Sequence, residues 1–141
     1  MIAVDTSALV AIGLNEPERD AFLTTIRDST KALVSTVSVV ETKMVLFGRK
    51  GLRAIVMIDD LLRLRRFEIT APTVADMDAA YAAFLAFGKG SGHSAALNFG
   101  DVFAYALAKV RDLPLLYKGN DFSETDLRPD VANSPVHRRR H

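Results

Sequence analysis

The chain of 141 residues contains no cysteine. That excludes a disulfide scaffold, a thiolate zinc or iron–sulfur site, and a thiol nucleophile. It has three histidines, His93, His137 and His141, and their scatter forms neither a ligand cluster nor an acid–base pair. An excess of either charge is also missing. Lys and Arg total 18 against 17 Asp and Glu, a net charge of +1. There is thus no bulk basic signal for nucleic acid, and any such contact has to come from local patches. No apolar run approaches the ~20 residues of a membrane span. The opening Met1-Ile2-Ala3-Val4-Asp5 has no basic region ahead of its apolar stretch, so no signal peptide is expected. A cytoplasmic protein without membrane attachment follows as the expectation. Hydrophobic residues make up 49%, enough at this length for one core that needs no metal or disulfide to fold. One domain is expected over residues 1–132, followed by a basic tail, 133–141, that ends Arg138-Arg139-Arg140-His141.

Short, continuously apolar runs alternate with helical patterns. Strands are expected at 2–4, 32–34, 67–69 and 115–117. Helices are expected at 7–13, onward from Glu16-Pro17-Glu18, from about Val39 to Phe47 with a stop at Gly48, at 52–64, from Thr73/Asp76 to Gly88, and at 101–110. Buried apolar strands separated by helices predict an α/β fold of three layers, with a short parallel sheet flanked by helices. Residues 88–94, Gly-Lys-Gly-Ser-Gly-His-Ser, lack the Walker spacing and follow a helix, which makes them a flexible loop and not a phosphate cradle.

Functional sites in parallel sheets gather beyond the carboxyl ends of the strands. Four acids fall at such places. Asp5 directly follows the first strand, Glu41 follows the second, Asp101 opens a helix, and Asp121 follows the last strand. Together they would repel and raise one another's pKa unless a cation intervened. An all-oxygen donor set suits Mg²⁺ or Mn²⁺. Each acid also has an ordinary explanation. Ser38 and Glu41 fit a capping box, Asp101 complements a helix dipole, and Asp121 suits a turn. Asp5 is the hardest to explain away, because an acid abutting a buried strand is costly unless paired or metal-bound. Arg49, Lys50, Arg53, Arg63, Arg65 and Arg66 fit solvated helix ends; a phosphate-contacting rim is the alternative.

The opening Asp5-Thr6-Ser7 resembles that of PIN-domain ribonucleases. The stretches Ala96-Leu97-Asn98-Phe99-Gly100-Asp101-Val102-Phe103-Ala104-Tyr105-Ala106-Leu107-Ala108 and Leu115-Leu116-Tyr117-Lys118-Gly119-Asn120-Asp121-Phe122 are similar to VapC-type toxins of bacterial toxin–antitoxin pairs. This resemblance implies a PIN-like nuclease domain and a Mg²⁺- or Mn²⁺-dependent endoribonuclease that cleaves RNA with a metal-activated water. It implies that Asp5, Glu41, Asp101 and Asp121 are the catalytic metal ligands. Thr6 and Ser7 would orient Asp5 or a water. Asn120 sits where a further acid is often found. The implied partners are an RNA substrate, a cognate antitoxin that enters the active-site groove, and a second copy in a homodimer, with a higher assembly once antitoxin binds. The rival readings are a phosphoacceptor receiver domain, a small-molecule phosphatase and a non-catalytic binding module. A receiver would want an acidic pair after the first strand and an acceptor Asp ending a central strand. Asp5 stands alone, and the strand at 67–69 runs into Thr70.

Overall fold

The computed structural model describes residues 1–128. Its order is β1 (Ile2–Val4), α1 (Thr6–Gly13), α2 (Arg19–Asp28), β2 (Ala32–Ser35), α3 (Thr36–Lys50), α4 (Leu52–Leu62), β3 (Phe67–Thr70), α5 (Val74–Phe87), α6 (Phe99–Arg111) and β4 (Leu115–Leu116), closed by a 3-10 turn at Phe122–Glu124. The four strands form one sheet in the order β3-β2-β1-β4, and every pairing is parallel. The basic tail, 133–141, lies outside the described residues. No helix among the described residues is long and apolar enough to cross a membrane.

Strand alternation divides the apolar residues between two cores. Ile2, Val4, Ala32, Val34 and Leu116 face one side and pack with Leu9, Phe22, Leu46 and Ile58 from α1–α4. Ala3, Leu33 and Leu115 face the other and pack with Ala80, Val102, Tyr105 and Leu107 from α5 and α6. A sheet buried on both faces is why its strands read as continuous apolar runs.

The strand order creates a switch point. The chain moves outward from β1 through β2 to β3, then crosses back and places β4 on the other side of β1. The crevice at the carboxyl ends of β1 and β4 is where a parallel sheet opens a ligand site. β3 is an edge strand that ends in Thr70, so the acceptor position of a receiver domain is missing.

Some element ends differ from expectation. α3 starts at Thr36, not Val39, because the Ser35 side chain caps it by accepting from the Val37 N–H. It passes through Gly48 and stops at Gly51, whose φ is +72°. A glycine inside a helix costs ~1 kcal/mol, too little to end one. The stop requires the left-handed backbone that Gly51 supplies. α2 starts at Arg19, past the Glu16-Pro17-Glu18 turn. α6 begins two residues before Asp101, capped by Asn98.

The helix pair α5/α6 is clamped by an ion pair. Arg111 donates to both Asp76 carboxylate oxygens at 2.8 and 3.0 Å, while Asp76 also accepts from the Thr73 N–H in a capping box. Burial alone would raise the Asp76 pKa. The Arg111 hydrogen bonds and charge, with the Thr73 N–H, outweigh it and hold the carboxyl below the usual range. Asp76 therefore stabilises the fold above the ordinary carboxylate pKa, and that stability is lost as pH falls below it. Asp76→Asn should destabilise the protein by about 3 kcal/mol at pH 7, because a largely buried guanidinium is left uncompensated. Urea unfolding should show this gap shrinking toward pH 3. A gap independent of pH would mean that the ion pair is not its source.

Candidate functional site

The site is built outward from Asp5. Its N–H donates to the Leu116 carbonyl at 2.9 Å, which fixes it to both β1 and β4. Its side chain caps α1, and Oδ2 accepts from the Ser7 N–H at 3.0 Å and the Ser7 hydroxyl at 2.6 Å. The Ser7 oxygen in turn accepts from the Lys118 N–H at 2.9 Å. The loop after β4, which leads to Asp121, is thereby tied to Asp5 through one hydroxyl. Thr6 does not share this role. Its hydroxyl donates at 3.4 Å to the Ser38 carbonyl inside the neighbouring helix. An N-cap side chain reaches the second helical residue, which here is Ser7.

Glu41 stands on α3, beyond its first turn. The Ser38/Glu41 capping box does not form, because Ser35 is the cap and Ser38 is already helical and buried. The Ser38 carbonyl accepts from the Thr42 hydroxyl at 2.7 Å. Glu41 is thus not occupied with capping. Its carboxylate lies over Gly100 of α6, so close that a Cβ built there would fall 2.3 Å from Oε2. Asp101 forms a capping box of its own: Asn98 Oδ1 accepts from the Asp101 N–H at 2.9 Å, and Asp101 Oδ2 accepts from the Asn98 N–H at 3.0 Å. Asp121 precedes the 3-10 turn and is exposed, as is Asn120.

The four carboxylates share one field. Burial pushes the Asp5 pKa up to about 7, against the pull of the Ser7 hydrogen bonds and with added repulsion from Asp101 and Glu41. Burial also raises the Asp101 pKa, with Asp121 and Glu41 repelling it. Asp5 Oδ1 is buried without a hydrogen-bond partner, although the residue is only 2% exposed. A buried carboxylate oxygen with no donor is the state a cation would relieve. The donor set fits a hard divalent ion in charge and chemistry. Among the described residues, no three such side chains already converge at coordinating spacing. Mutually repelling acids stand apart in this way, and closing them on an ion would require movement of the side chains.

Arg63, Arg65 and Arg66 follow α4 and do not form the alternative, a rim beside the acids. Arg65 and Arg66 precede β3, and Arg66 donates to the Ser29 carbonyl just ahead of β2. They lie at the amino edge of the sheet, opposite the acids. Arg63 pairs with Asp60 at 3.0 Å. Lys118 is beside the site, but its ammonium pairs with Glu16 and Glu18 at 3.2 and 3.3 Å. His93 accepts from the Ala95 N–H through Nδ1 and meets Phe87 edge-on; His137 and His141 lie outside the described residues. Sequence reasoning overlooked Asn98 and Gly100. The Asn98-x-x-Asp101 spacing ahead of an apolar helix was the signal for the first. For Gly100 no local signal exists, because what it touches comes from another helix.

Comparison with known proteins agrees with this architecture. The PIN domain profile matches residues 2–127. The chain is 40% identical over 129 residues to Ribonuclease VapC30 of Mycobacterium tuberculosis, covering 89% of this chain and 95% of the relative. It is also 40% identical to Ribonuclease VapC of Mycolicibacterium smegmatis, with 89% and 97% covered. Among solved structures, M. tuberculosis VapC20, described as a sarcin-ricin loop cleaving toxin, superposes with a TM-score of 0.75 at 18% identity, covering 91% of this chain and 97% of that one. VapBC2 from Rickettsia felis, bound to a DNA fragment from its promoter, gives 0.69 at 14% identity, with 92% and 98% covered. The profile match along nearly the whole chain, the identity to its relatives and the shared fold lead to one assignment: the chain belongs to the PIN-domain family, with VapC ribonucleases as its relatives.

Proposed function

We propose that this protein is a divalent-metal-dependent endoribonuclease and the toxin of a toxin–antitoxin pair, acting in the cytoplasm. The observation that carries the reading is Asp5, a buried carboxylate with an unpartnered oxygen at the sheet's switch point, inside the field of Glu41 and Asp101. Asp5, Glu41, Asp101 and Asp121 would hold Mg²⁺ or Mn²⁺. When bound, such an ion would shield the scissile phosphate and lower the pKa of a water molecule. The protein's own part is to fix the acids. Ser7 holds Asp5 Oδ2 and leaves Oδ1 for the ion. Asn98 does the same for Asp101, whose Oδ2 it engages. The names of the VapC relatives support RNA as substrate.

Partner surfaces support the rest of the reading. Val40, Met44 and Phe99 are 58%, 71% and 75% exposed and flank a groove between α3 and α6 with Glu41 and Gly100 at its base. An antitoxin segment would cover that apolar surface next to the acids. Met77, Tyr81, Phe84 and Leu85 leave a second apolar face on α5 exposed, suited to homodimerisation, and the two faces together allow a larger toxin–antitoxin assembly.

Three outcomes test the nuclease reading. Purified protein should cleave RNA with Mn²⁺ and not with chelator, and Asp101→Asn should lower the rate at least about 100-fold while remaining folded by circular dichroism. Full activity in that variant would remove Asp101 from the site. The products should carry 5′-phosphate and 3′-hydroxyl ends, because the chain has no cysteine and its one described histidine is tied into a turn, leaving water as the nucleophile. A 2′,3′-cyclic phosphate detected by mass spectrometry would contradict this. The third outcome concerns pH. The Asp5 pKa of about 7 lies above its ordinary 3.8, so between those values the native protein keeps a proton that the unfolded chain has lost. Stability from Asp5 is complete below 3.8 and is lost as pH rises through 7. In chelator at pH 8, Asp5→Asn should therefore melt higher than the parent, by at most about 4 kcal/mol of stability, and the difference should fade toward pH 4. A constant difference across that range would disprove the buried charge.

A further inference from the structure

Gly100 is the second residue of α6 and is buried. Its φ is not in the left-handed region, so the backbone gives no reason for glycine there. Glycine in fact weakens a helix relative to alanine. What it supplies is space. A Cβ at Gly100 would stand 2.3 and 2.5 Å from the two Glu41 carboxylate oxygens and 2.6 Å from the carboxyl carbon. Two other glycines are also crowded, but by different atoms. A Cβ at Gly13 would meet the buried Leu46 side chain at 2.8 Å, and one at Gly88 the Phe84 backbone carbonyl at 2.3 Å. Those glycines serve packing. At Gly100 the crowded atoms are the tip of a flexible, half-buried side chain, which can swing away at little cost to the fold.

We propose that Gly100 is a positioning residue for Glu41: the missing Cβ is the seat of the Glu41 carboxylate and holds it beside Asp5 and Asp101. The inference rests on the cation-binding reading of the acidic site. It separates two properties that usually change together. Alanine at 100 improves the helix and displaces the carboxylate, so stability holds or rises while affinity for the ion falls.

The test uses the full chain as parent, Gly100→Ala, Glu41→Ala and the double variant. Two readouts are taken: melting temperature in chelator, and Mn²⁺ affinity by titration calorimetry. In chelator, Gly100→Ala should melt no lower than the parent, and in the Glu41→Ala background it should raise the melting temperature by roughly 4 °C. Mn²⁺ affinity should fall about tenfold or more with Gly100→Ala, yet change less than about twofold when Glu41 is already alanine. Parent-like Mn²⁺ affinity in Gly100→Ala overturns the inference. So does an equal loss in both backgrounds, which would place the effect elsewhere than Glu41. A drop in melting temperature beyond roughly 5 °C in both backgrounds would make the glycine a packing residue, again against the inference. A parent that takes up no Mn²⁺ at millimolar concentration overturns the cation reading and the seat with it. That result is distinct from a parent that binds and a variant that binds equally.

Discussion

A carboxylate buried at the end of a central strand is the constraint around which the molecule is arranged. Asp5 is held by the strand on each side of it, since β1 carries it and β4 accepts its N–H. Burial of an ionised acid is opposed by several kcal/mol unless hydrogen bonds or a counter-charge offset it. Here the Ser7 donors satisfy one oxygen and the other has none. The fold therefore tolerates a local destabilisation at the end of its central strand. Two hydrophobic cores, one on either side of the sheet, stabilise the fold against that cost.

The helix caps connect local structure to the site. Asp5 caps α1 and Asp101 completes the cap of α6, and in each the hydrogen bonds fall on Oδ2. Capping fixes the orientation of a carboxylate while using one of its oxygens. Helix stability and carboxylate orientation are thus supplied by the same bonds, so changing the cap would move the carboxylate. Glu41 is held differently. It caps nothing, and its place depends on the Gly100 backbone of a separate helix.

Much of the fold was legible because burial on both faces makes a parallel strand an unbroken apolar run, as at Ile2–Val4 and Ala32–Val34. The Thr73/Asp76 helix start was legible as well, since a capping box is a local pattern. The errors arose where two local patterns competed. Ser35 and Ser38 both precede α3 residues that can receive a cap, and Ser38-x-x-Glu41 is the better textual match. The strand runs to Ser35 before the chain turns, which makes Ser35 the cap and frees Glu41. Likewise Gly48 and Gly51 both look like helix ends, and only the backbone angle at Gly51 separates them. Thr6 and Ser7 are neighbours of similar chemistry, and helix geometry alone directs Ser7 to Asp5 and Thr6 to the next helix. The arginines before β3 end a helix as read, and only the alternative of a rim fails, for a different reason. Sequence shows that they end a helix, but not that the following strand starts at the sheet edge remote from the acids.

The position of α6 explains how the acids from separate segments act as one group. Its N-terminus brings Gly100 against Glu41 and Asp101 into the field of Asp5 and Asp121. Its C-terminal half is held by Arg111 to Asp76 and by Lys109 and Tyr105 to Asp126. These bonds sit about one to three turns along the helix from Asp101, so the helix is anchored where it carries no site charge. Repulsion among four carboxylates would otherwise favour tilting its N-terminus outward. With the far end anchored, burial raises the Asp5 and Asp101 pKa values and repulsion from the neighbouring acids adds to it, a strain that a divalent cation is suited to relieve.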